Sequence, residues 1–193
     1  MEFISVEDLM VPLEEYATVK EDDTLFDAVM ALEAAQQKRN VEKHQFMHRA
    51  VLVLDDRGKV VGKIGHIDVL RALEPRYKDF GDTKSIARAG FSPQFIRSMM
   101  DNYHLCDSSL VDMCSKGARI KVKEFMYSPE EGEKVDAEAS LCEAIHQFVM
   151  TGMHLGLLVV KEGKIVGILR RTDVFMTVFG LMKECEIKEE SKK

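Results

Sequence analysis

The chain contains its own near-copy. Val6-Glu7-Asp8-Leu9-Met10 returns as Val122-Lys123-Glu124-Phe125-Met126. The same offset of 116 carries Val19 onto Val135, Thr24 onto Ser140, Leu25 onto Leu141 and Ala28 onto Ala144. Further along the offset is 105, carrying Gly58 onto Gly163, Gly62 onto Gly167 and Asp68 onto Asp173. The first copy therefore holds 11 extra residues, which these matches place between about Leu32 and Ala50. A repeat of this length is one supersecondary unit made twice, so a reading of one copy constrains the other.

Within each copy the local signals agree. Thr24-Leu25-Phe26-Asp27 and Ser140-Leu141-Cys142-Glu143 match a capping box, in which a hydroxyl caps an amide and an acid reaches back. Behind the caps, Leu25, Ala28, Val29 and Leu32 share one helical face, as do Leu141, Ala144, Ile145, Phe148 and Val149. Two apolar runs around a glycine turn follow, Ala50–Leu54 with Lys59–Ile64 and Leu155–Val160 with Lys164–Leu169, and each reads as a β-hairpin. Each hairpin then runs through a glycine and a tight polar turn to an aspartate that opens a second helix. The unit is β-α-β-β-α.

The extra residues extend the first helix to about residue 48, because 33–48 is rich in Ala, Gln, Lys and Glu and lacks Gly and Pro. Ser92-Pro93 matches a helix cap followed by proline at the first helical position, with Phe95, Ile96, Met99 and Met100 at helical spacing behind it. The expected organisation is a mixed α/β (α+β) chain. Residues 1–73 form the first repeat, with its long first helix over about 24–48, and 74–121 a helical insert. Residues 122–182 form the second repeat, and 183–193 a flexible charged tail.

Composition excludes several classes of function. A formal net charge of -6 gives nucleic acid no global electrostatic attraction. No apolar run approaches the roughly 18 residues of a membrane span. Four unpaired-looking cysteines and an acidic N-terminus without a leader pattern lead us to expect a cytoplasmic protein with reduced thiols. No G-x-S-x-G, P-loop or dinucleotide fingerprint is present, and we expect no catalytic residues and no enzyme activity. His44 and His48 have metal-ligand spacing, but the string between them lacks a glutamate and no third ligand is evident, so no metal site is expected and surface positions are.

The duplicated unit, its capped first helices, the D-x-x-G-K-x-V-G hairpin from Asp55 to Gly62 and the aspartate six residues after its last glycine together resemble a tandem pair of CBS domains, also called a Bateman module. The resemblance covers about residues 3–73 and 120–182. It implies two repeats packed about a pseudo-twofold axis, an adenine nucleotide (AMP, ADP or ATP) in the cleft between them, a homodimer, and a regulatory output to another protein. Carried onto this sequence it makes Asp68 and Asp173 the ribose-binding carboxylates and places Val19 and Val135 at the adenine. A carboxylate suits a ribose because it accepts from both hydroxyls at once.

The family's hydroxyl residue three positions before each aspartate is replaced here, by Gly65 in the first copy and Arg170 in the second. Arg170 and Arg171 offer planar forks of donors to a phosphate, and His66 stands beside Gly65. On this reading the Asp173 half is the stronger site. The rival expectation is a structural or interaction module that docks partners through the long helix and the middle insert.

Overall fold

A computed structural model describes residues 4–38, 48–80, 90–151 and 155–190. The strands are β1 (Val11–Pro12), β2 (Thr18–Lys20), β3 (Ala50–Leu54), β4 (Val60–Gly65), β5 (Lys134–Asp136), β6 (Gly156–Lys161) and β7 (Lys164–Arg170). The helices are α1 (Val6–Leu9), α2 (Leu25–Lys38), α3 (His66–Ala72), α4 (Pro93–Asn102), α5 (Leu110–Gly117), α6 (Leu141–Thr151) and α7 (Arg171–Glu190). They build two sheets, β2-β3-β4 and β1-β7-β6-β5. In each sheet a short first strand pairs parallel with one arm of an antiparallel hairpin.

The duplicated leading segments change places. β1, near the start of the first copy, pairs with β7 of the second sheet, Val11 opposite Ile168. Reciprocally, Tyr127 at the start of the second copy bridges Lys63 on β4, with both backbone bonds at 2.9 Å. The amides of Val6 and Glu7 donate to the carbonyls of Ala139 and Ala137, while those of Val122 and Lys123 donate to Asp23 and Glu21. Val6 is thus buried in the second repeat's core beside Val135 and Leu157, and Val122 in the first repeat's core beside Val19 and Val53. Each copy completes the other, which fixes the pair about a pseudo-twofold axis.

Gly62 and Gly167 make that exchange possible. They lie in mid-strand, opposite Val53 and Val159. A Cβ on Gly167 would lie 2.5 Å from the Val11 carbonyl oxygen, and one on Gly62 would lie 2.6 Å from Met126 Sδ. The strands continue past them, and α3 and α7 begin directly at their ends, without a separate polar turn.

β3 and β6 are buried on both faces, which accounts for their unbroken apolar runs. Val51 and Val53 face their own repeat's helices, whereas Leu52 joins Val11, Tyr16, Val60, Leu158 and Ile168 in a third cluster between the two sheets. This alternation is the period-2 geometry of a strand. The strand registers also refine the duplication: Leu52 matches Leu158, an offset of 106, so one of the extra residues lies in the first hairpin turn and not before β3.

Both capping boxes form. Thr24 and Asp27 bond reciprocally at 2.9 and 3.2 Å, and Ser140 and Glu143 at 2.7 and 3.2 Å. Ser92 caps α4 through the Phe95 amide at 3.1 Å, with Pro93 at the first turn. α5 closes the insert against the first repeat, with Gly117 so near Leu73 that a Cβ would lie 2.8 Å from its Cδ2.

Two expectations on helix extent differ, and a third lies partly outside the described residues. α2 is helical to Lys38, and the rest of its expected length, with His44, lies outside the described residues up to 47. His48 is not a surface helix position: it is buried, not helical, set edge-on to Tyr16 with ring centroids 4.6 Å apart, and its backbone is clamped by the Gln36 amide at 2.6 and 3.1 Å. α7 continues to Glu190 through what was expected to be a flexible tail, because the Lys and Glu residues that dominate there are good helix formers.

Candidate functional site

β4 and β7 end side by side near the pseudo-twofold axis and there launch α3 and α7. Around these two junctions lies a cavity of about 260 Å³. Its apolar part comprises Tyr16, Ala50, Ile67, Leu155 and Ile168; its polar part comprises Asp68 and Tyr127 with Arg49, Lys63, Arg71, Arg170 and Arg171. The lining follows the repeat: Gly65 is the counterpart of Arg170, Ala50 of Gly156, and Lys63 of Ile168. It is slightly smaller than the usual ligand site, which runs from about 300 to 1,000 Å³. That size suits one small molecule with an apolar ring and an anionic end.

Of the residues singled out from sequence, Gly65, Asp68, Arg170 and Arg171 line this cavity. His66 is exposed. Val19 is a core residue of the first repeat, and Val135 packs in the second core while edging a separate cleft of about 1,020 Å³ between the two hairpin turns. Asp173 stands behind the cavity wall, in contact with Arg170.

The two aspartates are equivalent in sequence and different in state. Asp68 Oδ2 accepts from the Gly65 amide at 2.8 Å, while Oδ1 has the half-exposed Arg71 guanidinium at 3.9 Å, beyond hydrogen-bond reach. Asp173 has both oxygens engaged: Arg170 Nε donates to Oδ2 at 2.5 Å and Nη2 to Oδ1 at 2.8 Å. Arg170 is 5% exposed, so this fork is an internal ion pair and not a solvent-facing phosphate arm. The ranking expected from sequence, with Asp173 ahead, does not follow from this geometry. Asp68 is the carboxylate that lines the cavity.

Sequence reading missed Tyr16, Arg49, Lys63, Arg71 and Tyr127. Burial pushes the Tyr16 phenol up to about 12, the Arg170 charge working against that shift. Tyr127 is held above the ordinary phenol range by burial and then by its hydrogen bond to Glu133. Glu133 is fully buried and also holds Lys63, so an ion pair with a tyrosine attached joins the second repeat to the first at the cavity's edge. Arg49 and Arg171 are exposed at the cavity and give it a positive side. No motif marks these residues, because they come from separate elements far apart in the chain, Lys63 from mid-β4, Arg71 from α3 and Tyr127 from the segment that bridges β4. Among the described residues no cluster of His, Cys, Asp and Glu could hold a metal ion, and no helix is long and apolar enough to cross a membrane.

A model of the CBS domain matches the chain at residues 6–75 and 122–180. No curated protein matches it. Among solved structures, CBSX2 from Arabidopsis thaliana matches with a TM-score of 0.58 at 21% identity, covering 94% of this chain and 99% of that one. A structure of CBSX2 in complex with AMP matches with a TM-score of 0.55 at 21% identity, covering 92% and 98%. A putative acetoin utilization protein (AcuB) from Vibrio cholerae matches with a TM-score of 0.57 at 20% identity, covering 98% of each chain.

Proposed function

The chain belongs to the CBS-domain family, and on that premise we propose that it is a regulatory module that binds an adenine nucleotide in the cavity between its repeats. CBS pairs are commonly nucleotide-sensing regulatory modules, and the related CBSX2 has been crystallised with AMP. The observation that carries the reading is the cavity itself. It sets one carboxylate, Asp68, between an apolar wall of Tyr16, Leu155 and Ile168 and the guanidinium groups of Arg49 and Arg171. Those three features match the three parts of a nucleotide. An adenine ring is flat and apolar, a ribose offers paired hydroxyl donors to a carboxylate, and a phosphate takes charge-assisted bonds from arginine.

Binding there touches both repeats, so it changes their relative orientation if the two orientations differ in affinity. The signal leaves through the outer helices. Leu70 on α3 and Phe175 on α7 occupy matching positions in the two copies and are 59% and 65% exposed, with Phe179 and Met182 beside them. Such apolar faces suit a homodimer, with a regulated protein as the next recipient. Titration calorimetry with AMP, ADP and ATP tests the reading. Wild type binds at least one of them, and Asp68→Ala weakens binding by at least tenfold. Absence of heat with all three at millimolar concentration overturns it.

A further inference from the structure

We propose that Arg170 is a built-in occupant of one of two repeat-related ligand seats, so that each chain takes a single nucleotide, on Asp68. The inference rests on the nucleotide reading above and adds the stoichiometry and the residue that sets it.

The duplication builds the seat twice. Asp68 and Asp173 follow matching strands, β4 and β7, and stand in the first turns of matching helices, α3 and α7. A vicinal diol needs both oxygens of a carboxylate, or one oxygen twice, left open to accept. Asp68 meets that need on Oδ1. Asp173 does not, because two guanidinium nitrogens already lie where diol hydroxyls would have to come, at 2.5 and 2.8 Å. Displacing them would leave a guanidinium that is 5% exposed without its counter-charge, one of the costlier events in a protein interior. A neutral ribose cannot supply that charge.

The difference traces to one residue. Where the second copy has Arg170, the first has Gly65, which has no side chain to reach its aspartate. A Cβ built on Gly65 would lie 3.4 Å from Asp68 Oδ2, in ordinary contact, so the backbone admits a side chain there. Arg71, the cation nearest to Asp68, lies one helical turn further on and only reaches 3.9 Å. Its side chain is 53% exposed and can swing away at little cost. Arg170 is therefore a stoichiometry-determining residue, and the phosphate end of the ligand falls to Arg49 and Arg171.

The test is the number of AMP molecules bound per chain, by calorimetry on the full chain and by equilibrium dialysis. Wild type binds one and Arg170→Gly, which copies the first repeat, binds two. Two per wild-type chain, or one on a folded Arg170→Gly protein, overturns the inference and leaves the nucleotide reading standing. None on wild type but one on Arg170→Gly overturns the reading at Asp68 and leaves the role of Arg170 standing. None on either removes both. Should Arg170→Gly fail to fold, Gly65→Arg decides: it copies the occupied seat and loses AMP binding at least tenfold, whereas retained one-to-one binding overturns the inference.

Discussion

The Lys63–Glu133 pair offers a quantitative test of how the repeats are joined. Glu133 comes from the second repeat and its side chain is 1% exposed; Lys63 comes from the first and is 18% exposed. The matching positions in the other half are Ala17 and Ile168, both apolar. Glu133→Ala strips a buried ammonium of its counter-charge and leaves it only the Tyr127 ring, 5.4 Å from its centroid. Breaking a buried pair from one side costs about 3–5 kcal/mol, because the surviving charge stays desolvated. Lys63→Ile takes the counter-charge from the buried Glu133 carboxylate and leaves it the Tyr127 hydroxyl, so its cost falls at the lower end of that range. The double substitution Lys63→Ile with Glu133→Ala removes both desolvation costs and copies the apolar half. Replacing a buried pair by apolar residues is commonly neutral or stabilising, so the double variant should lie within about 1–2 kcal/mol of wild type. Urea unfolding followed by far-ultraviolet circular dichroism gives the three values, since the chain has no tryptophan to report by fluorescence. Losses that simply add in the double variant would show that the two side chains do not share an interaction, and would refute the reasoning.

Two further perturbations follow from the packing. Gly167→Ala drives a methyl against the Val11 carbonyl at 2.5 Å, a backbone atom that cannot turn aside, and should cost about 1–3 kcal/mol. Gly62→Ala meets only the flexible end of Met126 and should cost less, so equal shifts in thermal midpoint would contradict the account. Tyr16 makes stability fall in alkali. Its folded pKa is raised to about 12 from 10.0, so the folded state resists ionisation while the unfolded chain ionises near 10. Its contribution is complete below pH 10 and is lost between pH 10 and 12 at up to about 1.4 kcal/mol per pH unit. Tyr16→Phe should lose less stability than wild type over that interval in urea titrations, and an equally steep decline would refute the assignment.

The elements that sequence revealed are those fixed by neighbours in the chain. The Thr24–Asp27 and Ser140–Glu143 boxes, the Ser92-Pro93 helix start and the two hairpins each need only a few consecutive residues. The exchange of leading segments left no such trace, because an offset of 116 is the same whichever sheet Val6 and Val122 complete. Gly62 and Gly167 stood out as matched glycines, yet their purpose appears only when Met126 and Val11 lie across them. At the site, Asp68 and Asp173 could be paired by spacing. What separates them is the direction of one side chain, since Arg170 turns to its own neighbour three residues on and leaves the phosphate to others. Lys63, Tyr127 and Glu133 meet across 70 residues of chain and carry no local signal at all.

A crystal structure of the chain grown with saturating AMP tests the central claim most directly. The account predicts one nucleotide per chain between the ends of β4 and β7, its ribose hydroxyls on Asp68 and its phosphate between Arg49 and Arg171, with the Arg170–Asp173 pair intact. A nucleotide seated on Asp173, or density for AMP only in the cleft between the hairpin turns, would contradict it.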